Sequence, residues 1–437
     1  MQACARGPMA QSRMPSPRDL QRVPLLQRLG PGLITGAADD DPSGIATYSQ
    51  AGAQFGYGLL WSVLFTTPLM IGIQIVSARL GRVTGHGLAA NIRDHFPRPL
   101  LYAVVALLLA ANTFNIAADL GAMGDALVLV AGGNSSVYIG LFALVSLTLQ
   151  VFIPVPRYAP VLKWLTLTLF AYVGTVMVVH VPVEKLLDGA LRPRLFLNGE
   201  YFGMLVAVLG TTISPYLFFW QASQEVEEQR ATPGDGPLRD APDRARAHLH
   251  RIKVDTALGM IYSNLIAACI MLTTAVTLNA AGVTNIESPA QAASALQPLA
   301  GSLAFELFAG GIIGTGLLAV PVLAGSAAYA VAESFHWPIG LGLKLAEARG
   351  FYAILSAATL LGVAIDLTGV DSIRMLLWSA VLNGVISVPI MAVMMVMAAR
   401  TTVMGSLVVS RRLRVLGWFA TAVMGAAVCA MLARVGR

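Results

Sequence analysis

An apolar stretch near the start of the chain contains three consecutive acids followed by proline, serine and glycine. These residues are Asp39, Asp40, Asp41, Pro42, Ser43 and Gly44. A charge at the bilayer centre costs about 2.5–3.5 kcal/mol on insertion scales, so the acids must face water, an ion or a polar interior. Because proline lacks an N–H and glycine permits unusual φ values, we predict an unwound segment between two half-helices. Such a break at membrane depth is tolerated where it lines a cavity.

A second apolar stretch is interrupted in the same manner, at the run Thr211-Thr212-Ile213-Ser214-Pro215. Unwinding there and in the first stretch would free backbone carbonyls one turn before Asp41 and Ser214. The predicted donors are the Asp41 carboxylate, the carbonyls of Ala38 and Thr211, and the hydroxyls of Ser43, Thr212 and Ser214. Hard divalent cations prefer such oxygen ligands, and neither break contains histidine or cysteine. We therefore predict a site for Mg²⁺, Ca²⁺ or Mn²⁺.

Further polar residues within apolar segments are candidates for an ion pathway. Asp39 and Asp40 lie on other faces of the half-helix from Asp41, and at least one is expected to face the pathway. The remaining candidates are Asn112, Asn115, Asp119, Gln221, Asn264 and Asn383. Interhelical hydrogen bonding is an alternative role for the asparagines, and a cytoplasmic helix end is an alternative position for Gln221. For Asp119 we favour a functional role, because an intramembrane carboxylate needs a cation, a proton or a partner.

The composition identifies the elements that must carry these residues. The chain has 437 residues, of which 56% are hydrophobic and 12% charged, and soluble domains are usually about 25% charged. Apolar stretches of about 18 or more residues predict membrane spans. We predict eleven, near 31–56, 58–78, 100–131, 136–156, 160–181, 201–222, 256–281, 303–333, 351–369, 375–399 and 414–433.

The distribution of basic residues predicts the orientation. With the N-terminus inside, 23 of the 29 lysines and arginines fall in cytoplasmic segments, in agreement with the positive-inside rule. Residues 1–28 have no apolar signal region and are predicted to be a cytoplasmic tail. The polar insert 225–253 is predicted to be a flexible inner loop. We expect a multi-pass protein of the plasma membrane.

The positions of the two breaks predict an inverted repeat. One break lies in span one and the other in span six, which are equivalent if spans 1–5 (31–181) and 6–10 (201–399) form two halves. The predicted fold is therefore all-α, with a transporter core over 29–400 and an eleventh span within 401–437. The chain has no Walker motif, hydrolase triad or phosphate loop, so we expect neither an enzyme nor an ATP-driven pump. We expect no cofactor and no nucleic-acid partner.

Several segments resemble the NRAMP divalent-metal transporters. GPGLITGAADDDPSGIATYSQAGAQFGYGLLW is similar to the first span of that family, SARLGRVTG to the end of its second, IAADLG to part of its third and GSAAYAVAESF to its eighth. Thr211 to Tyr216 stand where the family has its span-six metal motif. The resemblance covers spans one to ten. It implies a leucine-transporter-type fold with broken helices 1 and 6, and transport of a divalent metal ion.

Departures from the family pattern indicate that the transported ions include a harder cation than Mn²⁺, such as Mg²⁺. Asp41 and Asp119 are kept, but Gly44 replaces the liganding asparagine and Ser214 the methionine. A thioether favours softer metals, so its loss removes a bias against Mg²⁺. Tyr216 replaces the family histidine. The two span-three glutamates become Asn112 and Ala122, and of the span-nine arginine pair at most Arg349 remains.

This pattern resembles the divergent NRAMP-related magnesium transporters. We therefore expect uptake of Mg²⁺ and Mn²⁺ that is not tightly coupled to protons, because the relay groups are lost. A proton-coupled manganese importer is the main alternative. An organic-solute carrier and a non-transporting membrane sensor are two further alternatives. The three adjacent acids disfavour an anionic solute, and a sensor normally carries a sizeable soluble domain.

Overall fold

The computed structural model describes residues 31–153 and 167–434, and regular structure in these ranges is helical. The predicted all-α class is confirmed. The helices before residue 195 are α1 (Pro31–Asp39), α2 (Pro42–Phe55), α3 (Leu60–Thr84), α4 (Leu88–His95), α5 (Arg98–Ala131), α6 (Ser135–Phe152), α7 (Phe170–Val178) and α8 (Val183–Leu191). The later ones are α9 (Gly199–Thr212), α10 (Pro215–Ala231), α11 (Ala245–Thr274), α12 (Pro289–Ser294), α13 (Gln297–Ala300), α14 (Ala304–Ser334), α15 (Arg349–Asp366), α16 (Ser372–Ala399), α17 (Thr401–Met404) and α18 (Arg411–Leu432).

Within the described ranges, nine helical stretches are long and apolar enough to cross a membrane. One of them, Pro42–Thr84, contains both α2 and α3, which are separated by a 3-10 turn at Gly56–Leu59. Gly56 adopts φ +55° there, a conformation that favours glycine. The predicted fifth span, 160–181, is described only from residue 167 onwards. There it forms the short apolar helix Leu167–Val178. The predicted tail, 1–28, lies outside it.

The two breaks have the same layout. α1 ends at Asp39, two residues follow, and α2 begins at Pro42. In the same way, α9 ends at Thr212, two residues follow, and α10 begins at Pro215. Proline suits the first helical position, where an N–H would have no helical acceptor. By this layout, Asp41 and Ser214 occupy equivalent positions, each as the N-cap of a half-helix.

The half-helices are packed by direct backbone contact. A Cβ added to Gly36 of α1 would lie 2.3 Å from the carbonyl oxygen of Gly259 in α11. A Cβ on Gly210 of α9 would lie 2.1 Å from the carbonyl oxygen of Ala380 in α16. Small residues permit such close approach between helices that cross a membrane. These contacts fix the two breaks relative to α11 and α16.

One end of the bundle, called the arginine-rich end below, carries Arg79, Arg82, Arg93, Arg251 and Arg400. The connection between α10 and α11 closes over this end and is shorter than predicted, because residues 225–231 and 245–253 are helical. Within it, the backbone amides of Leu238 and Arg239 donate to the carbonyls of Arg82 and Val83.

Asp235, from the same connection, forms an ion pair with the buried Arg82. His248, near the start of α11, lies with Nδ1 2.8 Å from the same guanidinium. The segment is therefore bound to the end of α3, and the expectation of a flexible loop was wrong. A buried guanidinium requires partners, and the connection supplies them.

Candidate metal site

Asp41 is oriented by the helix that it caps. Its Oδ1 accepts a hydrogen bond of 2.6 Å from the backbone N–H of Gly44, which is typical of an aspartate at an N-cap. Its Oδ2 lies 3.3 Å from the hydroxyl of Tyr216, which also lies 3.2 Å from the carbonyl oxygen of Ala38. The whole Asp41 residue is 2% exposed, so its carboxylate is buried. The first turn of α10 therefore contacts the first break directly.

Oxygen atoms from both breaks surround the position of Gly44. A Cβ added there would lie 3.2 Å from Thr211 Oγ1, 3.3 Å from Asp41 Oδ1 and 3.4 Å from the carbonyl oxygen of Asp39. A carboxylate, a hydroxyl and a carbonyl thus face one point. The absence of a side chain at Gly44 is what leaves that point open.

Hydroxyl groups of the second break are engaged mainly with their own helix. Ser214 Oγ donates towards the carbonyls of Gly210 and Thr211, at 3.0 and 2.9 Å. Thr212 Oγ1 donates to the carbonyl of Val208 at 2.6 Å and lies 3.1 Å from the hydroxyl of Tyr48. The predicted Thr211 carbonyl cannot accept a helical hydrogen bond from Pro215, which lacks an N–H. It accepts the Ser214 hydroxyl instead. Each of these oxygens keeps lone pairs that a cation could use.

Asp39 and Asp40 converge on Ser263 of α11. The serine hydroxyl lies 2.5 Å from Asp39 Oδ2 and 3.1 Å from Asp40 Oδ1. A hydroxyl has one hydrogen and donates to one of them at a time. Asp39 Oδ1 and Asp40 Oδ2 are buried without a hydrogen-bond partner in the described residues. Three adjacent carboxylates therefore lie at the break with few donors to balance their charge.

A third group of polar atoms lies on α5 and α16. Asp119 is fully buried and lies beside the backbone N–H of Ser43 and near the charge of Asp41. One turn earlier, both side-chain polar atoms of Asn115 are buried and unpaired within the described residues. In α16, Asn383 Oδ1 is also buried without a partner there. The predicted carboxylates Asp41 and Asp119 are thus brought together.

Other predicted residues lie away from the breaks or are engaged elsewhere. Asn112 donates to the carbonyl of Leu323 and to Ser326 Oγ in α14, at 2.9 and 2.6 Å. Gln221 bonds to Gln74 and to Thr256, at 2.6 and 2.8 Å. Asn264 Nδ2 lies 3.2 Å from the sulfur of Met70. These contacts support the interhelical bonding that the sequence left open for the asparagines.

Sequence reasoning did not identify Ser263, Tyr48 or Ser387 as neighbours of the breaks. The hydroxyl of Ser387 donates to the carbonyl of Ile213 at 2.7 Å and so satisfies a carbonyl of the second break. Ser387 lies one helical turn beyond the predicted Asn383, and Ser263 directly precedes the predicted Asn264. Within the part of the chain that the structure describes, no three His, Cys, Asp or Glu side chains are placed to hold one metal ion. A cation here would rely on carbonyls, hydroxyls and water as well.

A family model described as "Natural resistance-associated macrophage protein-like" (Nramp) matches residues 32–434. The chain belongs to the Nramp family. A relative in Klebsiella pneumoniae (strain 342), the divalent metal cation transporter MntH, is 29% identical over 405 residues, 91% of this chain and 92% of the relative. The predicted membership of the NRAMP family is therefore confirmed.

Solved structures of transporters share the fold. A manganese transporter of Eremococcus coleocola, in complex with an aromatic bis-isothiourea substituted compound, superposes with a TM-score of 0.73 at 17% identity. The match covers 97% of this chain and 88% of that one. Mhp1, a nucleobase-cation-symport-1 family transporter, superposes with a TM-score of 0.55 at 12% identity. The Nramp chain described here thus has the predicted leucine-transporter-type fold.

Proposed function

We propose that this chain carries the divalent cations Mg²⁺ and Mn²⁺ across the cell membrane by alternating access, through a site between the two helix breaks. The observation that supports it best is the convergence of Asp41, Thr211 and the Asp39 carbonyl around Gly44. Relatives named as divalent metal cation and manganese transporters agree with this substrate class. By the positive-inside rule, the arginine-rich end faces the cytoplasm.

The preference for hard cations rests on Ser214 and Gly44. Neither contributes a soft ligand, and Gly44 leaves space beside Asp41 and Thr211. Mg²⁺ gives up its waters reluctantly and usually keeps several in protein sites. A site with one capped carboxylate, hydroxyls, carbonyls and room for water suits a partly hydrated ion. We therefore propose Ala38, Asp41, Ser43, Thr211, Thr212 and Ser214 as its ligands, directly or through water.

Transport without tight proton coupling follows from the groups around Asp41. Within the described residues, the side chain that donates to Asp41 is the phenol of Tyr216. A phenol ordinarily titrates near pH 10 and so does not exchange protons at neutral pH as an imidazole does. A proton-coupled manganese importer is the second candidate. It is favoured by the proximity of the buried carboxylates of Asp41 and Asp119, one of which could carry a proton.

Uptake into proteoliposomes tests this function. Full-length protein is reconstituted with a metal-sensitive dye and a pH dye inside, and Mg²⁺, Mn²⁺ and Ca²⁺ are added in turn. We expect Mg²⁺ and Mn²⁺ influx without acidification of the lumen. Protein-free liposomes and the Asp41→Ala variant serve as controls. Acidification that follows Mn²⁺ entry, together with no Mg²⁺ influx, would establish the second candidate instead.

A further inference from the structure

A second pair of carboxylates lies at the end of the bundle opposite the arginine-rich end. Asp125 is in the last two turns of α5, and Asp366 is the last residue of α15. Asp125 accepts hydrogen bonds through both oxygens, from Ser135 at 2.6 Å and from Ser372, the first residue of α16, at 2.7 Å. Both oxygens of Asp125 are therefore engaged with hydroxyl donors.

Asp366 has no such donors. The residue is 8% exposed, and in the described ranges its carboxylate receives no hydrogen bond and forms no ion pair. Asp366 Oδ1 and Ser372 Oγ, which donates to Asp125, both lie within 3.0 Å of the position of a Cβ on Gly121, so the two carboxylates are close neighbours. A buried carboxylate without a partner is costly, and a like charge nearby increases that cost. A proton or a cation between the two carboxylates would relieve this repulsion.

The carboxylate of Asp366 is placed by a glycine. A Cβ added to Gly121 would lie 2.2 Å from Asp366 Oδ1 and 3.0 Å from Ser372 Oγ. The missing side chain therefore lets both oxygens approach the backbone of α5 from neighbouring helices. Ser372 uses its one hydrogen on Asp125, so only its lone pairs remain for a third group. Two carboxylates and this hydroxyl oxygen are ligands that hard cations prefer.

A small cavity lies beside Ser372 of this cluster. Its volume is about 30 Å³, enough for about one water molecule. Ser372, Ala46 and Ala122 line the cavity together with mostly apolar side chains. Ala122 lies three residues beyond Asp119 on α5, and Ala46 lies five beyond Asp41 on α2. The cavity thus reaches the helices that carry Asp41 and Asp119, from the end of the bundle opposite the arginine-rich end.

We propose that Asp125, Asp366 and Ser372 form a second, peripheral site for a hydrated divalent cation. Its role as an entry site for the transported ion rests on the proposed function, whereas binding itself does not. A local cluster of negative charge raises the concentration of cations near the cavity and speeds their capture. Few protein ligands are needed, because Mg²⁺ and Mn²⁺ can keep most of their waters here.

Binding of Mn²⁺ to the purified full-length chain, followed by electron paramagnetic resonance, tests the proposal. We compare the wild type with Asp366→Asn, Asp41→Ala and the double variant, each checked by size-exclusion chromatography. The expected result is that each single substitution removes one class of Mn²⁺ sites and the double variant removes both. Glu306→Gln, which changes an exposed acid at the same end, is the matched control and should leave binding unchanged.

Gly121→Ala separates geometry from charge. The added methyl would displace the Asp366 carboxylate while the number of acids stays the same, so we expect at least tenfold weaker peripheral binding. In uptake assays, Asp366→Asn should raise KM several-fold with little change in maximal rate. If Asp366→Asn and Gly121→Ala both bind Mn²⁺ as the wild type does, the pair holds a proton and the proposal is overturned. Absence of transport by the wild type would refute the proposed function but not this site.

Discussion

The hydroxyl of Tyr216 lies between Asp41 Oδ2 and the carbonyl oxygen of Ala38, at 3.3 and 3.2 Å. The first turn of α10 is thereby joined to the break between α1 and α2. A phenol, which ordinarily titrates near pH 10, is uncharged in the neutral range. This side chain therefore adds no pH-dependent charge next to the cation site over the neutral range.

Tyr216→His should make uptake depend on pH. An imidazole with an ordinary pKa near 6.5 would be charged below about pH 6 and would repel a cation bound at Asp41. We expect wild-type Mg²⁺ or Mn²⁺ uptake to be nearly constant between about pH 6 and 8, and uptake by the variant to fall several-fold towards the acidic end. Tyr216→Phe, which cannot titrate, is the control. Equal pH profiles for the histidine and phenylalanine variants would contradict the prediction.

Asp41→Ala should abolish transport without unfolding the protein. The substitution removes the carboxylate that faces both breaks, and it also removes the cap of α2, which costs about 1 kcal/mol. Metal uptake and thermal stability of the purified protein would be measured together. Asp243→Ala, at an exposed position, is the control. Uptake at the wild-type rate would remove the cation site from the first break.

Asp39 and Asp40 should influence affinity more than rate. Both approach Ser263, and each keeps one buried oxygen without a partner in the described residues. We expect Asp39→Asn or Asp40→Asn to raise the apparent KM for Mn²⁺ more than it lowers the maximal rate, because negative charge concentrates cations. Ser263→Ala keeps the charge and should have a smaller effect on KM. A loss of maximal rate at unchanged KM would rule out this electrostatic role.

Ser214→Met, alone or with Gly44→Asn, should shift selectivity towards softer metals. A thioether adds affinity for Mn²⁺ or Cd²⁺ but none for Mg²⁺, and a tenfold change in the ratio needs about 1.4 kcal/mol. An asparagine at position 44 would enter the space bounded by Thr211, Asp41 and Asp39 at 3.2 to 3.4 Å.

Inhibition of Mn²⁺ uptake by millimolar Mg²⁺ measures this shift. We expect inhibition in the wild type and weaker inhibition in the double variant. Ser214→Ala, which removes the hydroxyl without adding sulfur, is the matched control. Failure of excess Mg²⁺ to inhibit the wild type would favour the proton-coupled manganese importer.

Asp235→Asn should destabilise the closed arginine-rich end. The Arg82 side chain is 2% exposed and that of Asp235 8%, and loss of one partner from a buried ion pair costs about 3–5 kcal/mol. Thermal unfolding of the purified protein would show the loss. Asp240→Asn changes a largely exposed acid five residues away and is the control. Arg82→Gln combined with Asp235→Asn should recover part of the stability, whereas an additive loss would show that the two residues act independently.

The sequence was sufficient for the breaks because their causes are local. Proline removes a backbone donor, and a run of acids excludes lipid, so Pro42, Pro215 and Asp41 identify the unwound segments without tertiary information. The contacts of Ser263 with Asp39 and Asp40 were not predictable, because they join residues more than 220 positions apart.

The polar connection before α11 shows the opposite limitation. Its composition is typical of a flexible loop, yet Asp235 is held by Arg82, a residue far away in the sequence. Composition reports how well a segment is solvated but not whether a buried charge elsewhere requires a partner. The pair of Asp125 and Asp366 was not predicted either. Neither residue lies in a broken span, and composition does not show that the two are close in the fold.

The backbone contacts at Gly36 and Gly210 affect how this protein tolerates sequence change. No side chain separates α1 from α11 or α9 from α16 at these points, so main-chain contact sets where each half-helix ends. Any larger residue would push the half-helix outwards and carry the cation's oxygens with it. In a saturation mutagenesis screen for metal-dependent growth, these two glycines should therefore rank with Asp41 in sensitivity, although neither is among the proposed ligands.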